Sequence, residues 1–391
     1  MATKRNRPKF EGATIEQLAA AKEVIISTGS GGVGKTTAAA AIGAMAATHL
    51  GGRILVLTVD PAKRLANALG LERFGNTEVQ VPPAAFRAAG VEPRGELWAA
   101  MLDTKQSWDD LIRQHAPDAA TRDAILANPL YQNITGKFIQ SHDYVAMERL
   151  YEIHTTGRYD LIVVDTPPTR NAIDFLDAPE RMADFFSSRL LRWLIAPYRS
   201  RVVSFASKPF YNVADRVLGS QFLSDIAEFF ILFQSMYEGF VTRAKAVQHL
   251  VEGPATSFVV VSTLEAAPAR EAEFFMELLA ERKLHLGALV LNKVLPTFLL
   301  DRSASASARK MSTDPAQVAS RLGPLGDPAV LERVVAEIGE NFANYNVVAK
   351  REAEQRAEMG RLPDVVVAVP TLENDVADLG GLLALGDYLW R

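Results

Sequence analysis

Short apolar runs recur along this chain, and several of them end at a glycine or an aspartate. Each run is as short as a buried strand of a parallel sheet. The predicted strands are residues 24–26, 53–59, 97–102, 161–164, 258–261, 286–291 and 365–369. Alanine-rich residues 37–50 predict a helix, because alanine has the highest helix propensity. Strands that alternate with helical segments predict an α/β fold, a doubly wound and mostly parallel sheet with helices on both faces.

Two long stretches, at about residues 104–156 and 178–250, lack strand signals and predict an inserted helical subdomain. The second is rich in aromatic residues, and residues 229–233 are apolar on every face of a helix. Such a segment is buried in the chain, at a subunit interface or against another protein. Two interpretations stay open: a groove for an apolar helix, or an ordinary subdomain core. By contrast, residues 301–315 are rich in serine and alanine and predict a flexible surface loop.

The segment after the first predicted strand fits the phosphate-binding pattern G-x-x-x-x-G-K-[ST]. Its glycines let backbone N–H groups turn toward phosphate oxygens. The side chain of Lys35 neutralises the β- and γ-phosphates, and the hydroxyl of Thr36 binds Mg²⁺. A predicted strand before the loop and a predicted helix after it support this interpretation. The predicted nucleotide-binding residues here are Gly29, Ser30, Gly31, Gly32, Val33, Gly34, Lys35, Thr36 and Thr37.

Two aspartates end predicted strands at the carboxyl edge of the sheet, where the phosphate loop also lies. Asp165 is predicted to hold Mg²⁺ through water, beside Thr36. Asp60 is predicted to orient or activate the water that attacks in hydrolysis. An aspartate after a strand is also a common turn or helix-cap residue, and Pro61 fits the first position of a helix. For Asp60, the catalytic role and the capping role can hold together.

Three segments together resemble the arsenite-pump and guided-entry ATPases, which belong to the MinD-like class with deviant Walker A loops. They are the phosphate loop, Leu57-Thr58-Val59-Asp60-Pro61-Ala62 and Val164-Asp165-Thr166-Pro167-Pro168-Thr169. The resemblance spans about residues 22–391 and implies one ATPase domain there, after an arm and lead-in at residues 1–21. It also implies binding and hydrolysis of ATP with Mg²⁺. Residues 165–179 look most like the actinobacterial-type, single-loop members.

Further family features fall after later predicted strands. Val290-Leu291-Asn292-Lys293 resembles the adenine-reading segment, which implies that Asn292 faces the base. Glu265 matches a nucleotide-contacting glutamate, and Val369-Pro370-Thr371 resembles the loop that closes over adenine, which makes Pro370 a nucleotide contact. The alternatives are a plain buried amide or cap for Asn292 and a solvated carboxylate at a helix start for Glu265.

The chain departs from the family pattern at three points. The second loop position usually holds a lysine that reaches the nucleotide of the facing subunit, and here it is Ser30. Lys63 and Arg64 are candidate replacements, or solvent-facing helix residues. The chain has no cysteine, so it contains no thiolate site for a metalloid and no cysteine site for zinc. It has one phosphate loop, so the family's nucleotide-sandwich dimer needs a second copy or a related paralogous subunit.

Composition limits the function further. A net charge of −4 offers no general attraction for nucleic acid or anionic membranes. No run approaches the roughly 18 apolar residues of a membrane helix, so we expect a cytoplasmic protein. The resemblance implies a nucleotide-gated dimer that acts as a targeting or chaperone-like factor for hydrophobic or membrane proteins. Two alternatives stay open: an energising subunit of an anion transporter without thiolates, and a positioning ATPase of the MinD or ParA type.

Overall fold

The protein is built around one eight-stranded sheet. The computed structural model describes residue 12 and residues 14–59, 63–71, 75–134, 139–167, 176–178, 180, 181, 184, 228–323 and 326–390. Its strands are β1 (Val24–Gly29), β2 (Gly52–Thr58), β3 (Val79–Gln80), β4 (Gly95–Met101), β5 (Leu161–Asp165), β6 (Thr256–Ser262), β7 (Leu286–Val294) and β8 (Val365–Pro370). Their order across the sheet is β3-β4-β2-β5-β1-β6-β7-β8. The short edge strand β3 runs antiparallel to β4, and all other neighbours are parallel. The seven predicted strands are confirmed, whereas the pattern does not predict β3.

Helices connect these strands and cover both faces of the sheet. The helices before β5 are α1 (Ile15–Ala21), α2 (Lys35–His49), α3 (Lys63–Ala68), α4 (Pro83–Ala88), α5 (Thr104–His115), α6 (Ala119–Ala127), α7 (Pro129–Ile134) and α8 (Ile139–Thr155). The later ones are α9 (Tyr237–Glu252), α10 (Ala266–Glu281), α11 (Arg302–Thr313), α12 (Pro315–Arg321), α13 (Pro328–Met359) and α14 (Leu379–Trp390), with a 3₁₀ turn at Thr297–Leu300. Residues 228–234 are also helical.

The two faces of the sheet belong to two separate apolar cores. Successive side chains of a strand point to opposite faces, so Ile26 belongs to the core that includes residues of α5, α8, α9 and α10. Ile25 belongs to the core that includes residues of α1, α2 and α14. Nearly every residue of α2 is buried, because its alanines let the helix lie close to the sheet and α14 covers its outer side. Burial on both faces confirms the predicted doubly wound α/β fold.

The prediction of a flexible loop at residues 301–315 is wrong, because most of this segment forms α11. The carboxylate of Asp301 accepts hydrogen bonds from the N–H groups of Ser303 at 2.6 Å and Ala304 at 3.1 Å, which caps the helix. The alanines between the serines favour helix, and Ala308 is buried where α11 packs along α13. The serine-rich composition is typical of a loop, but the segment forms a capped amphipathic helix.

Helical segments fill both predicted helical stretches wherever they are described. Helices α5–α8 lie in the first stretch, and residues 228–234 and α9 lie in the second. The domain boundaries themselves stay a prediction. Within the described ranges, none of the helices is both long enough and apolar enough to span a bilayer.

Candidate functional site

The chain turns sharply between β1 and α2, and two glycines permit this turn. Gly34 immediately precedes α2 with a φ of 94°, which side-chain-bearing residues rarely adopt, and a Cβ there would clash with the amide of Asn292. A Cβ on Gly29 would clash with the backbone carbonyl of Val261 in β6. The loop therefore lies tightly against its neighbours. It places the start of α2, where the first N–H groups of a helix lack partners within the helix, at the carboxyl edge of the sheet.

A buried carboxylate lies at the start of α2. Asp165 is fully buried, and its Oδ1 accepts a hydrogen bond from Lys35 Nζ at 3.1 Å. Its Oδ2 accepts from the hydroxyls of Thr36 at 2.7 Å and Thr58 at 2.9 Å. A buried carboxylate needs such partners, because removing an unpaired ion from water is costly. The predicted metal and phosphate residues Lys35, Thr36 and Asp165 are thus in direct contact.

The register of the strands brings these side chains together. Asp165 ends β5 between two parallel neighbours, opposite Ser27 of β1 and Thr58 of β2. The Val59 N–H donates to the carbonyl of Asp165 at 3.0 Å. Ligands of doubly wound sheets bind outside the carboxyl ends of the strands, which is where β1, β2 and β5 converge here.

The oxygen atoms in this network suit a hard divalent cation. Carboxylate and hydroxyl oxygens are ligands that Mg²⁺ accepts, and Mg²⁺ usually keeps several waters. Thr36 is partly exposed, whereas Asp165 is covered by the side chains that donate to it. The donor set fits Mg²⁺ held by Thr36 and Asp165, and this assignment stays a prediction.

A second carboxylate contacts the loop from the side. The Ser30 hydroxyl donates to Glu271 Oε2 at 2.6 Å. Glu271 belongs to α10, the helix that follows β6. Ser30 is 8% exposed and Glu271 is half-buried. The second position of the loop therefore faces a helix of its own chain.

The predicted base-reading residue contacts the loop near its other end. Asn292 Nδ2 donates to the carbonyl of Val33 at 2.8 Å, and its Oδ1 accepts from the N–H of Lys293 at 2.9 Å. Lys293 has a φ of 56°, at a point where the pairing of β7 with β8 is irregular. The structure thus brings Asn292 to the loop, and its contact with adenine stays a prediction.

Two further predicted contacts lie at the same edge of the sheet. Glu265 is the exposed N-cap residue of α10, and its side chain makes no capping hydrogen bond. Pro370 ends β8, opposite Val294 of β7. Glu265 follows β6 and Pro370 ends β8, and these two strands are the neighbours of β7, which carries Asn292. Their nucleotide roles stay predictions.

Several predicted residues lie outside the part of the chain that the structure describes. These are Asp60 and residues 168–175 of the segment after β5. Lys63 and Arg64 begin α3, but their side chains also lie outside the description. The catalytic role of Asp60 and the replacement of the missing lysine by Lys63 or Arg64 therefore stay predictions.

Sequence reasoning does not identify Thr58 or Glu271. Thr58 stands two residues before Asp60 at a strand end, but its bond to Asp165 depends on the register of β2 with β5. Glu271 belongs to no motif. It meets Ser30 only because α10 packs beside the loop.

The aromatic helical stretch is a packed core wherever it is described. Phe229 and Phe233 are 7% and 3% exposed, and their ring centroids are 4.5 Å apart. The Phe233 ring lies near Trp108, which also contacts Tyr144. Tyr144 donates to the Glu148 carboxylate at 2.7 Å, and burial raises the pKa of that carboxyl group. These residues support the core interpretation, while residues 185–227 lie outside the description.

Comparison with known proteins identifies the family. The sequence model of the anion-transporting ATPases matches residues 22–317. An uncharacterized protein of Streptomyces coelicolor is 31% identical over 280 residues, which cover 70% of this chain and 62% of that relative. A protein of Leishmania infantum named ATPase ASNA1 homolog is 28% identical over 207 residues, which cover 46% of this chain and 49% of the relative. The match thus spans less than two thirds of the length of either relative. This chain belongs to the anion-transporting ATPase family, as its phosphate loop and strand-end motifs predict.

Proposed function

We propose that this protein binds ATP with Mg²⁺ at the phosphate loop and hydrolyses it. The contact of Lys35 and Thr36 with the buried carboxylate of Asp165 is the observation that carries this proposal. It joins a cation, a hydroxyl and a carboxylate at the start of a helix, which is the set of groups that phosphoryl transfer requires. Membership of a family of ATPases supports the same reaction.

Each residue has a defined task in this reaction. The ammonium group of Lys35 neutralises β- and γ-phosphate oxygens, and the N–H groups of the loop hold the phosphates in place. Thr36 and Asp165 hold Mg²⁺, which shields the charge that develops on the phosphates. Asn292 contacts the adenine, and Asp60 orients the attacking water.

The variant Asp60→Asn tests the hydrolytic part of this proposal. We expect it to bind ATP as the wild type does but to hydrolyse it at least about 100-fold more slowly, the usual scale for a water-activating group. Steady-state phosphate release and calorimetric titration measure the two properties. Asp387→Asn, an exposed position on α14, is the matched control. Turnover at the wild-type rate would leave Asp60 with a capping role only.

We further propose that the ATPase is a nucleotide-gated dimer that targets or protects hydrophobic proteins. An exposed apolar stripe supports a hydrophobic partner. Val330, Val334, Ile338, Tyr345 and Val348 of α13 are all exposed, and their spacing places them on one side of the helix. The exposed Asn341 lies among them, so the stripe combines apolar residues with one amide. Exposed apolar residues that share one side of a helix favour an interaction site.

A carrier protein fused to an apolar segment of about 20 residues tests this role. We expect the carrier to be retained by the wild-type protein when Mg²⁺ and a non-hydrolysable ATP analogue are present. A matched carrier with two lysines in the middle of the segment controls for general stickiness. Ile338→Asp should reduce retention without a change in ATP affinity. Equal retention of the two carriers would contradict the client role.

The description of the family supports a second candidate, an energising subunit of an anion transporter. The absence of cysteine restricts this candidate to anions that need no thiolate. Stimulation of ATP hydrolysis by added oxyanions, without retention of the apolar carrier, would favour it. Retention of the carrier without stimulation by oxyanions would favour the targeting role.

A further inference from the structure

Helix α13 is held by its own chain on one side only. Val335, Gly339, Asn346 and Ala349 are buried on that side. A Cβ on Gly339 would clash with the backbone carbonyl of Ala308, so α11 lies directly against α13 there. The exposed stripe runs beside this covered side. Its members are Val330, Val334, Ile338, Asn341, Tyr345 and Val348. The helix is therefore firmly supported, while the stripe is presented to a partner.

The spacing of the stripe suits a second helix of the same sequence. From Val334 onward, its members are separated alternately by four and three residues, which is the spacing of the contact seam of a coiled coil. The series is also symmetric about a point halfway between residues 339 and 340. Val334 and Tyr345 are equally far from this point, and so are Ile338 and Asn341. A copy of α13 that runs in the opposite direction therefore presents the matching member at each of these positions, so the stripe is complementary to itself.

Opposite charges flank the two ends of the stripe. Asp327 precedes it and Arg351 follows it, and both are exposed. The Asp327 carboxylate caps α13 by accepting from the N–H of Ala329 at 2.9 Å, and a carboxylate can accept further hydrogen bonds. Two antiparallel helices that share the central point bring Asp327 of each to within about 2 Å of Arg351 of the other along the helix axis. A parallel pair would instead place like charges side by side, so the charges favour the antiparallel arrangement.

We propose that two copies of this chain associate through the stripe, with their α13 helices antiparallel. The inference rests on the proposed dimer and names the surface that joins its copies. Asn341 lies near the twofold axis, where the amide of each copy can both donate to and accept from the other. One such polar contact in an apolar seam fixes the register of the two helices. A hydrophobic client then binds the assembled dimer, so loss of the stripe reduces retention of the client through loss of the dimer.

The same helix is connected to the proposed nucleotide site. The N–H of Leu295, three residues after Asn292, donates to Glu352 Oε2 of α13 at 3.1 Å. The C-terminal end of α13 leads into β8, which ends at Pro370. Both segments that are proposed to contact the adenine are thus joined to α13. A nucleotide that holds these segments also holds α13, which favours association when nucleotide is bound.

A charge in the middle of the stripe tests the contact. Ile338→Asp places a carboxylate at the seam, whereas Val347→Asp introduces the same charge on the opposite side of α13. The two side chains are similarly exposed, at 53% and 50%, so Val347→Asp is a matched control. Sedimentation of the full chain over a range of concentrations, with and without Mg²⁺ and a non-hydrolysable ATP analogue, measures the dissociation constant of the dimer. We expect Ile338→Asp to raise it at least about 30-fold, the scale of an interface hot spot, and Val347→Asp to change it less than about twofold.

Two further variants test the antiparallel arrangement. Arg351→Glu places a carboxylate beside Asp327 of the second copy and should raise the dissociation constant roughly three- to tenfold. Lys350→Glu, at the next exposed residue, points away from the stripe and should match the wild type. The chain has no cysteine, so Asn341→Cys provides a single thiol that can be joined only to another copy. A thiol cross-linker of about 10 Å, the distance between packed helices, should link this variant but not Val347→Cys.

Three outcomes would overturn the inference. If Ile338→Asp weakens association no more than Val347→Asp does, another surface joins the copies and the proposed dimer stands without this contact. If the wild type is monomeric with and without nucleotide, the proposed dimer fails and the inference fails with it. If such a monomer retains the apolar carrier and Ile338→Asp does not, the stripe binds the client and not a second copy.

Discussion

Two carboxylates contact the phosphate loop, and they differ in how the fold holds them. Asp165 is fully buried beside α2, fixed by the register of three strands and bonded to the buried ammonium group of Lys35. Glu271 is half-buried beside the loop, projects from a helix and accepts a hydrogen bond from the hydroxyl of Ser30, among its contacts. The first is therefore part of the frame that builds the site. The second lies beside the loop, outside this frame.

This difference determines which substitutions each position tolerates. A buried ion pair is costly to break, because the partner that remains is an uncompensated charge away from water. A half-exposed carboxylate retains contact with water, so its neutralisation costs little stability. Changes at Asp165 should therefore impair nucleotide binding strongly, whereas changes at Glu271 and Ser30 should have smaller effects.

Among the variants that test this comparison, Asp165→Asn should have the largest effect, on the affinity for ATP with Mg²⁺. Asparagine keeps the size of the side chain but removes the charge that faces Lys35 and the metal position. We expect the gain in ATP affinity that Mg²⁺ provides to fall by between about 10-fold and 100-fold, the scale of one hydrogen bond to a charged group. Titrations with and without Mg²⁺ measure it, and circular dichroism checks that the variant is folded. A Mg²⁺ dependence like that of the wild type would place the metal elsewhere.

Ser30→Lys should have a smaller effect, and it should increase the rate of ATP hydrolysis. A lysine at this position restores the charge that the family resemblance implies for the facing subunit. We expect turnover to rise about tenfold, less than the roughly 100-fold scale of one group that stabilises developing charge, because Glu271 also attracts the new ammonium group.

Glu271 is placed to hold this ammonium group within its own chain. The double variant Ser30→Lys/Glu271→Gln should therefore be faster than Ser30→Lys. Turnover measured against protein concentration, with sizing in a non-hydrolysable ATP analogue, shows whether two subunits act together. Fast hydrolysis by a monomer, at a rate that Ser30→Lys does not change, would exclude the dimer mechanism.

The smallest effects concern stability. Thr58→Val removes one hydrogen bond to the buried carboxylate of Asp165 and should lower the free energy of unfolding by about 1.5 kcal/mol, the lower end of the range for a bond to a charged group. Ser30→Ala removes the bond to Glu271, whose carboxylate can bind water instead, and should cost about 0.5 kcal/mol or less. Denaturant unfolding of the two variants measures the difference. A larger loss of unfolding free energy in Ser30→Ala than in Thr58→Val would contradict the comparison of the two carboxylates.

The sequence predicts the strands, the phosphate loop and Asp165, but it does not predict the contact between Ser30 and Glu271. The strands, the loop and Asp165 follow from apolar runs and a local motif, because strand ends in a parallel sheet converge on one edge. The Ser30–Glu271 contact joins residues 241 positions apart, and it depends on how α10 packs. No local pattern encodes such a contact. The pattern does not predict helix α11 for a different reason: its cap at Asp301 is a single residue, and the serines around it are also typical of a loop.

The central claim is that Lys35, held by Asp165, makes this loop a site for ATP. Calorimetric titration of ATP with Mg²⁺ into the wild type, Lys35→Ala and Lys35→Gln tests it most directly. Lys35→Gln guards against a folding defect, because its amide can still donate to Asp165, and Lys310→Ala is an exposed control. We predict that both Lys35 variants lose at least about 100-fold in affinity while the control is unchanged. Wild-type affinity in a folded Lys35 variant would contradict the account.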